Sequence, residues 1–206
     1  MNKVIIASVA VALLALSCGE EEGITRPGPE PKGERVEPVT PGAVLRNFKE
    51  GFIYRQYRIV NISLRDNFLF FFDPREVGQK VPYRNYVIPK SWDRDAFMQA
   101  VKVLLGGAYA LDFAISTEGL GEPGPGATLH EAENITLTLR VMVNELESYL
   151  ADQGSVDLEF ESYISANGKK YWQLKTWRDH TYPPYGDLGV ERASLGKILA
   201  IYYQWG

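Results

Sequence analysis

The stretch from Val156 to His180, VDLEFESYISANGKKYWQLKTWRDH, decides the fold. Two runs of alternating character flank Asn167 and Gly168, and Asn-Gly between such runs is the strongest short-range hairpin signal. A two-residue type I′ turn at Asn167 and Gly168 would place Ile164 opposite Tyr171, Ser162 opposite Gln173, Phe160 opposite Lys175, Leu158 opposite Trp177 and Val156 opposite Asp179. These pairs would share a face, so Leu158, Phe160 and Trp177 would sit beside Ser162, Gln173, Lys175 and Asp179. Desolvating a charge costs several kcal/mol. Such a face needs either a partly wet cavity or strand ends that reach solvent. The opposite face, with Asp157 facing Arg178 and Glu159 facing Thr176, has the composition of a solvated surface.

Working outward, Leu111, Phe113 and Ile115 alternate with Asp112 and Ala114, and Ile135, Leu137, Leu139, Val141 and Val143 alternate with polar residues. Both read as strands with one buried face. Before them the period is helical. Thr40 and Pro41 form a helix start, with a capping oxygen followed by proline in the first turn; Leu45, Phe48 and Phe52 then make an inward stripe. A second helix is expected over Trp92 to Leu105, capped by Ser91 or Asp93 and ended by Gly106 and Gly107, with Phe97, Val101, Leu104 and Leu105 inward. Phe68 to Phe72 between them reads as a short buried strand closed by Asp73 and Pro74. Helices followed by antiparallel strands mean an α+β domain, with helices laid on one face of a curved sheet.

The N-terminus has a different character. Lys3 precedes an apolar run from Val4 to Leu16, shorter than the roughly 20 residues a membrane-spanning helix needs and suited to a cleaved signal peptide. Ser17 stands directly before Cys18, the sole cysteine of the chain. Ala15 to Cys18 resembles a bacterial lipobox, which implies a lipidated Cys18 and a membrane partner reached through that lipid. The organisation expected is a signal peptide over 1–17, lipidated Cys18 with a flexible tether over 18–39, and one globular domain over 40–206. Residues 19–39, GEEEGITRPGPEPKGERVEPV, lack an apolar face and span at most about 70 Å. The expected location is the bacterial cell envelope, facing the periplasm or exposed at the surface. With one cysteine, no disulfide within the chain can brace the domain. Loss of residues 1–17 removes Lys3 and no acid, leaving 21 basic against 26 acidic side chains and a formal net charge of −5. That acidity argues against a nucleic-acid partner.

The order helix, aromatic strand, helix, then long strands ending in a hairpin resembles the nuclear transport factor 2-like (NTF2-like) cone, and within it a group of exported lipoproteins. The likeness rests on Thr40-Pro41, on Phe72-Asp73-Pro74, on YWQLKTWRDHT over 171–181 with Trp172, Trp177 and Asp179, and on SLGKILAIYY over 194–203. Leu195 departs from the Trp expected there. The resemblance implies helices on the concave face of the sheet and, in the isomerases and dehydratases of the fold, Asp, Tyr or His inside the cone as bases or oxyanion donors. The candidates for lining such a cavity are Tyr54, Tyr57, Asp66, Ser162, Gln173, Lys175, Trp177 and Asp179, with His180 beside them. No spacing forces any of them together.

Other motifs are weak. Gly119, Gly121 and Gly124 fit G-x-G-x-x-G, but Pro123 and Pro125 interrupt them and a strand follows, so a hairpin loop is expected rather than a phosphate cradle. His130-Glu131 opens like a zinc motif, but position 134 is Asn; no metal or cofactor is expected. The reading that results is a membrane-tethered, non-catalytic domain that binds a small apolar ligand or a protein partner, with pairing of two copies through the sheet as a further expectation. The alternative is a lyase or isomerase using an Asp, Tyr or His pair in the cone.

Overall fold

A computed structural model describes residues 35–81, 85–144, 147–181 and 191–203. Residues 1–34, with Cys18, the signal peptide and most of the tether, lie outside them. Helix α1 (Pro41–Ile53) starts as its sequence dictates, with Thr40 Oγ1 accepting from Ala43 N at 3.1 Å. A short α2 (Tyr57–Ile62), which the periodicity did not announce, leads into β1 (Leu64–Phe71). Next come β2 (Ser91–Asp93) and α3 (Arg94–Gly107). Of the two caps proposed for the second helix, Asp93 is the one used: its side chain accepts from Ala96 N at 2.9 Å. Ser91 and Trp92 belong to the strand instead. Strands β3 (Ala110–Ile115), β4 (Leu129–Met142), β5 (Ser148–Ile164) and β6 (Lys170–His180) follow, then β7 (Glu191–Arg192) and α4 (Leu195–Tyr203).

The sheet runs β2-β1-β6-β5-β4-β3, with β7 on β5. It is antiparallel except where β1 joins β6 and β7 joins β5, both parallel, so the fully antiparallel expectation is corrected at these two seams. Helices α1 and α3 cover its concave face. Phe48 and Phe52 of α1, Phe97 of α3, Phe68 and Phe70 of β1, Phe113 of β3 and Trp177 of β6 are each at most 1% exposed. Their rings interlock, with centroids 4.6 Å apart for Phe52 and Phe113 and 5.3 Å for Phe48 and Trp177. Burial of so many rings is the main source of stability in a chain without cross-links.

The hairpin departs from its expected turn. Gly168 N donates to Ser165 O at 2.9 Å, Ser165 N to Lys169 O at 3.0 Å, and Gly168 alone of the loop residues has positive φ, +78°. The loop is therefore three residues, Ala166 to Gly168, a turn followed by a left-handed glycine. Asn167 keeps negative φ and accepts from Lys169 N through Oδ1 at 3.1 Å. The extra residue shifts the pairing: Ser162 faces Trp172 and Phe160 faces Leu174. A bulge at Lys175 restores the expected register beyond it, with Leu158 facing Trp177 and Val156 facing Asp179. Gln173 and Lys175 consequently lie on the outer face, and the half-polar inner face is not formed. Residues 35–39, expected in the tether, pack on the domain. Asn47 exchanges hydrogen bonds with the Val36 backbone at 2.8 and 3.0 Å, and Trp172 N donates to Pro38 O at 2.8 Å.

Candidate functional site

Among the described residues, candidate sites include the buried polar cluster where α4 meets the sheet and a groove along α1.

α4 is apolar on nearly every side, with Leu195, Ile198, Leu199, Ala200, Ile201 and Tyr202 buried, as expected of a helix enclosed by neighbours. It packs on α3, and Tyr203 places its ring 5.0 Å from Trp92. Its N-terminus rests on Asp179, the last inward side chain of β6 and fully buried. Asp179 Oδ2 accepts from Gly196 N at 2.7 Å, and Oδ1 accepts from Thr181 N at 3.0 Å and from the Thr181 hydroxyl. Thr181 Oγ1 in turn accepts from Leu195 N at 2.7 Å. A Cβ at Gly196 would lie 2.7 Å from Phe72 Cδ1 and 3.0 Å from Asp179 Oδ2, so only glycine allows this approach. Ser194 caps the helix by accepting from Lys197 N at 2.9 Å, and its hydroxyl donates to Glu76 Oε2. Glu76 is 1% exposed. Asp73 beside it is held by Arg75 at 2.6 Å.

Burial pushes the Glu76 carboxyl up to about 7, against the Ser194 hydrogen bond and with help from the negative charges of Asp179 and Asp73. Burial also raises Asp179, to about 6, although three donors favour its ionised form. Asp73 moves the other way: burial raises it, but the hydrogen bonds and charge of Arg75 outweigh that and leave it lowered. Raised carboxyls can mark acid-base sites. Here Asp179 holds the helix N-terminus with Oδ2 and Thr181 with Oδ1, a common structural use of an acid.

The groove has a volume of about 590 Å³ and is lined by Leu45, Lys49, Glu50, Ile53, Tyr54 and Ile115, with Gly42, Arg46 and Thr117 completing it. Arg46 Nε binds Glu50 Oε1 at 2.9 Å along the helix. The volume falls in the range of small-molecule sites. Apolar side chains and a Lys-Glu-Arg rim suit an amphipathic guest.

The expected cavity residues are scattered. Tyr54 lines this groove outside the cone; Tyr57 is 42% exposed at the start of α2. Asp66 is fully exposed, 3.8 Å from Arg94. Ser162 points to the inner side opposite Trp172, near the hairpin tip. Gln173 donates to Ile62 O and Leu64 O, and Lys175 pairs with Glu159 at 3.1 Å, both on the outer face. His180 reaches Asp157 at 2.9 Å, also outside. Trp177 and Asp179 alone of the candidates are buried under the helices. Glu76, Thr181 and Ser194 were missed; Glu76 and Ser194 are 118 residues apart, and no spacing connects them.

The order of elements and two helices on the concave face match the expected cone; the parallel β1-β6 seam departs from it. In architecture the chain resembles an NTF2-like cone. No family model matches the chain, and no curated protein does. Among solved structures it is similar to a protein of unknown function from Mycobacterium tuberculosis, at 12% identity and TM-score 0.49, over 80% of this chain and 92% of that one. It is also similar to a conserved protein from Planctomyces limnophilus (12%, TM-score 0.41, 66% and 89% covered) and to an NTF2-like protein of unknown function from Pseudomonas putida (11%, TM-score 0.40, 66% and 79% covered).

Proposed function

We propose that this chain is an exported lipoprotein, anchored to a bacterial envelope membrane by lipid on Cys18, whose domain binds a small apolar or amphipathic molecule without transforming it. The observation that carries the binding reading is how the cone is used. Its interior is occupied by Phe48, Phe52, Phe70, Phe97, Phe113 and Trp177, and its buried Asp179 is engaged by α4. Among the described residues the groove along α1 offers space for a guest, and Leu45, Ile53 and Ile115 give it an apolar floor.

The test is native mass spectrometry of protein released gently from the producing membrane, wild type beside Ile53→Trp, which fills the groove from a partly exposed position. A small molecule retained by the wild type and lost from a folded Ile53→Trp protein is the expected result. Equal retention in both would overturn the site. The mass of the mature N-terminus checks the anchor separately: it should carry a diacylglycerol adduct that Cys18→Ser abolishes.

A second reading has one observation in its favour, the raised carboxyls of Glu76 and Asp179. Were α4 to move aside, they could serve a lyase or isomerase as an acid-base pair. Deleting α4 should then create or increase activity; in the binding reading it only destabilises.

A further inference from the structure

At one end of the domain, three separate segments meet. The hairpin tip contributes Ile164, Lys169, Lys170 and the rings of Tyr163 and Tyr171. The start of β4 contributes Leu129, and the chain entering the domain contributes Arg35 to Val39. They are tied together: Trp172 N donates to Pro38 O, Lys169 pairs with Glu37, Lys170 donates to Ala127 O, and Ser162 N donates to Thr128 O at 2.8 Å. Ile164 is 66% exposed, Leu129 48% and Val39 41%. Elsewhere on the described surface large apolar side chains stand out too, such as Tyr57 and Val87, but here three share one end with cations. Arg35, Lys169 and Lys170 outnumber Glu37 there, and Glu161, opposite Leu129, is held by Arg65, in a chain whose formal net charge is −4. Lys170 lies over the Trp172 ring at 4.8 Å and Lys169 over Tyr171 at 5.7 Å. A hollow of about 380 Å³ lies between Arg35 to Pro38 and the two tyrosines.

We infer that this end is a docking surface for the anionic phospholipid face of the membrane that anchors the chain. Exposed aliphatic side chains, tyrosines and lysines side by side are the composition that rests at a bilayer interface, apolar parts at the acyl boundary and cations at phosphate. The position of the anchor favours this occupant. The chain leaves the described residues at Arg35, inside the patch, and Cys18 is 17 residues before it, about 60 Å of chain at full extension. A tethered surface meets its membrane at high effective concentration, so weak contact suffices. Among the described residues no helix is long and apolar enough to cross a membrane, and contact of this kind is with the surface. Docked in this way, the tip faces the bilayer and α4 lies toward the other end of the hairpin.

The inference rests on the anchoring reading, and its test separates the two. The mature chain from residue 18, carrying Cys18→Ser and so free of lipid, is sedimented with vesicles of phosphatidylcholine alone or mixed with phosphatidylglycerol. Binding is expected only to the mixed vesicles, weakening as salt rises. Lys169→Gln should weaken it roughly fivefold, the usual worth of one cation near an anionic surface. Ile164→Ser should weaken it several-fold, and Lys102→Gln, an exposed position of α3, should leave it unchanged. No binding to the mixed vesicles, equal binding to both, or an equal loss with Lys102→Gln would overturn the patch. If the patch binds while wild-type protein from its native membrane lacks the lipid adduct, the anchoring reading falls and the surface stands.

Discussion

Toward the base of the β5-β6 hairpin, Val156 faces Asp179 and Leu158 faces Trp177; toward its tip, Phe160 faces Leu174 and Ser162 faces Trp172. The base half follows the register a two-residue turn would set, the tip half is one residue out, and Lys175 sits between them. The turn chemistry of Ser165 to Gly168 asks for one register, and burial of Trp177 and Asp179 asks for another. One bulged residue meets both demands, because it lets the side-chain alternation restart. The two halves also differ in what they do. The base half builds the aromatic cone and seats α4, and the tip half leaves Ile164, Tyr163, Tyr171 and two lysines toward solvent.

The largest expected effect belongs to the base half. Trp177 is wholly buried against Phe48 and Phe70. Trp177→Ala should cost about 3 to 5 kcal/mol in urea titrations, as deletions of large buried aromatics do. Trp172→Ala at the tip should cost less, since Lys170 and the strand ends can close on the space. Equal losses would mean that the two halves form one continuous core.

The next effect sharpens the contrast by pH. Glu76 has a folded value near 7 against an ordinary 4.5, so the native state holds its proton more tightly than the unfolded chain. Its contribution is complete below about pH 4.5 and is lost as pH rises through 7. From pH 5 to 8 the protein should therefore lose stability, by roughly 3 kcal/mol from Glu76; Asp179, raised to about 6, acts with the same sign. Asp73, lowered, acts oppositely and only near or below its ordinary value of 3.8, outside this window. Glu76→Gln can keep an acceptor for the Ser194 hydroxyl while removing the charge. It should be more stable than wild type at pH 8 and should flatten the slope. A wild-type stability that rises from pH 5 to 8 would refute the buried-acid account. Lys169 at the tip, held above its ordinary value of 10.5 by its hydrogen bond to Glu37, adds no such slope in this window.

The sequence carried more of this than the turn assignment used. Trp172, Leu174 and Trp177 are the apolar inward residues of β6, and their spacing changes from two to three at Lys175. That change is the bulge, visible before any coordinates. The helix start at Thr40 and the strand alternation of β3 and β4 were equally legible, and the cap at Asp93 was one of two candidates, because each depends on neighbours within a few residues. Helix α2, six residues long, offers too little periodicity to detect. The polar cluster was half legible: Asp179 stands two residues from Trp177 and so shares its face. Glu76 and Ser194, bonded to each other beside it, come from distant segments, and only the folded chain brings them together. Tyr57 and Asp66 entered the candidate site by residue type and lie outside it in the fold; Gln173 and Lys175 entered through the two-residue-turn register, and the three-residue loop turns them outward.

The smallest expected effect tests the turn itself. In a type I′ turn both Asn167 and Gly168 would need positive φ, and Asn-Gly is favoured because Asn tolerates it. Here Asn167 stays on the negative side and Gly168 alone carries φ of +78°. A Cβ at Gly168 would meet nothing within 4 Å, so Gly168→Ala pays only for its backbone conformation, about 1 kcal/mol. Asn167→Ala should lose the Oδ1 contacts to Lys169 N and to the Ser165 hydroxyl, a net loss of about 1 kcal/mol. Neither change should disturb Trp177, because the bulge at Lys175 absorbs small shifts before they reach the base. Amide hydrogen exchange in each variant would report this, with faster exchange at the tip and unchanged protection across the Leu158-Trp177 pair. Loss of protection at that pair would show the two halves to be mechanically coupled, and the bulge to be a passive consequence of packing instead of the element that separates them.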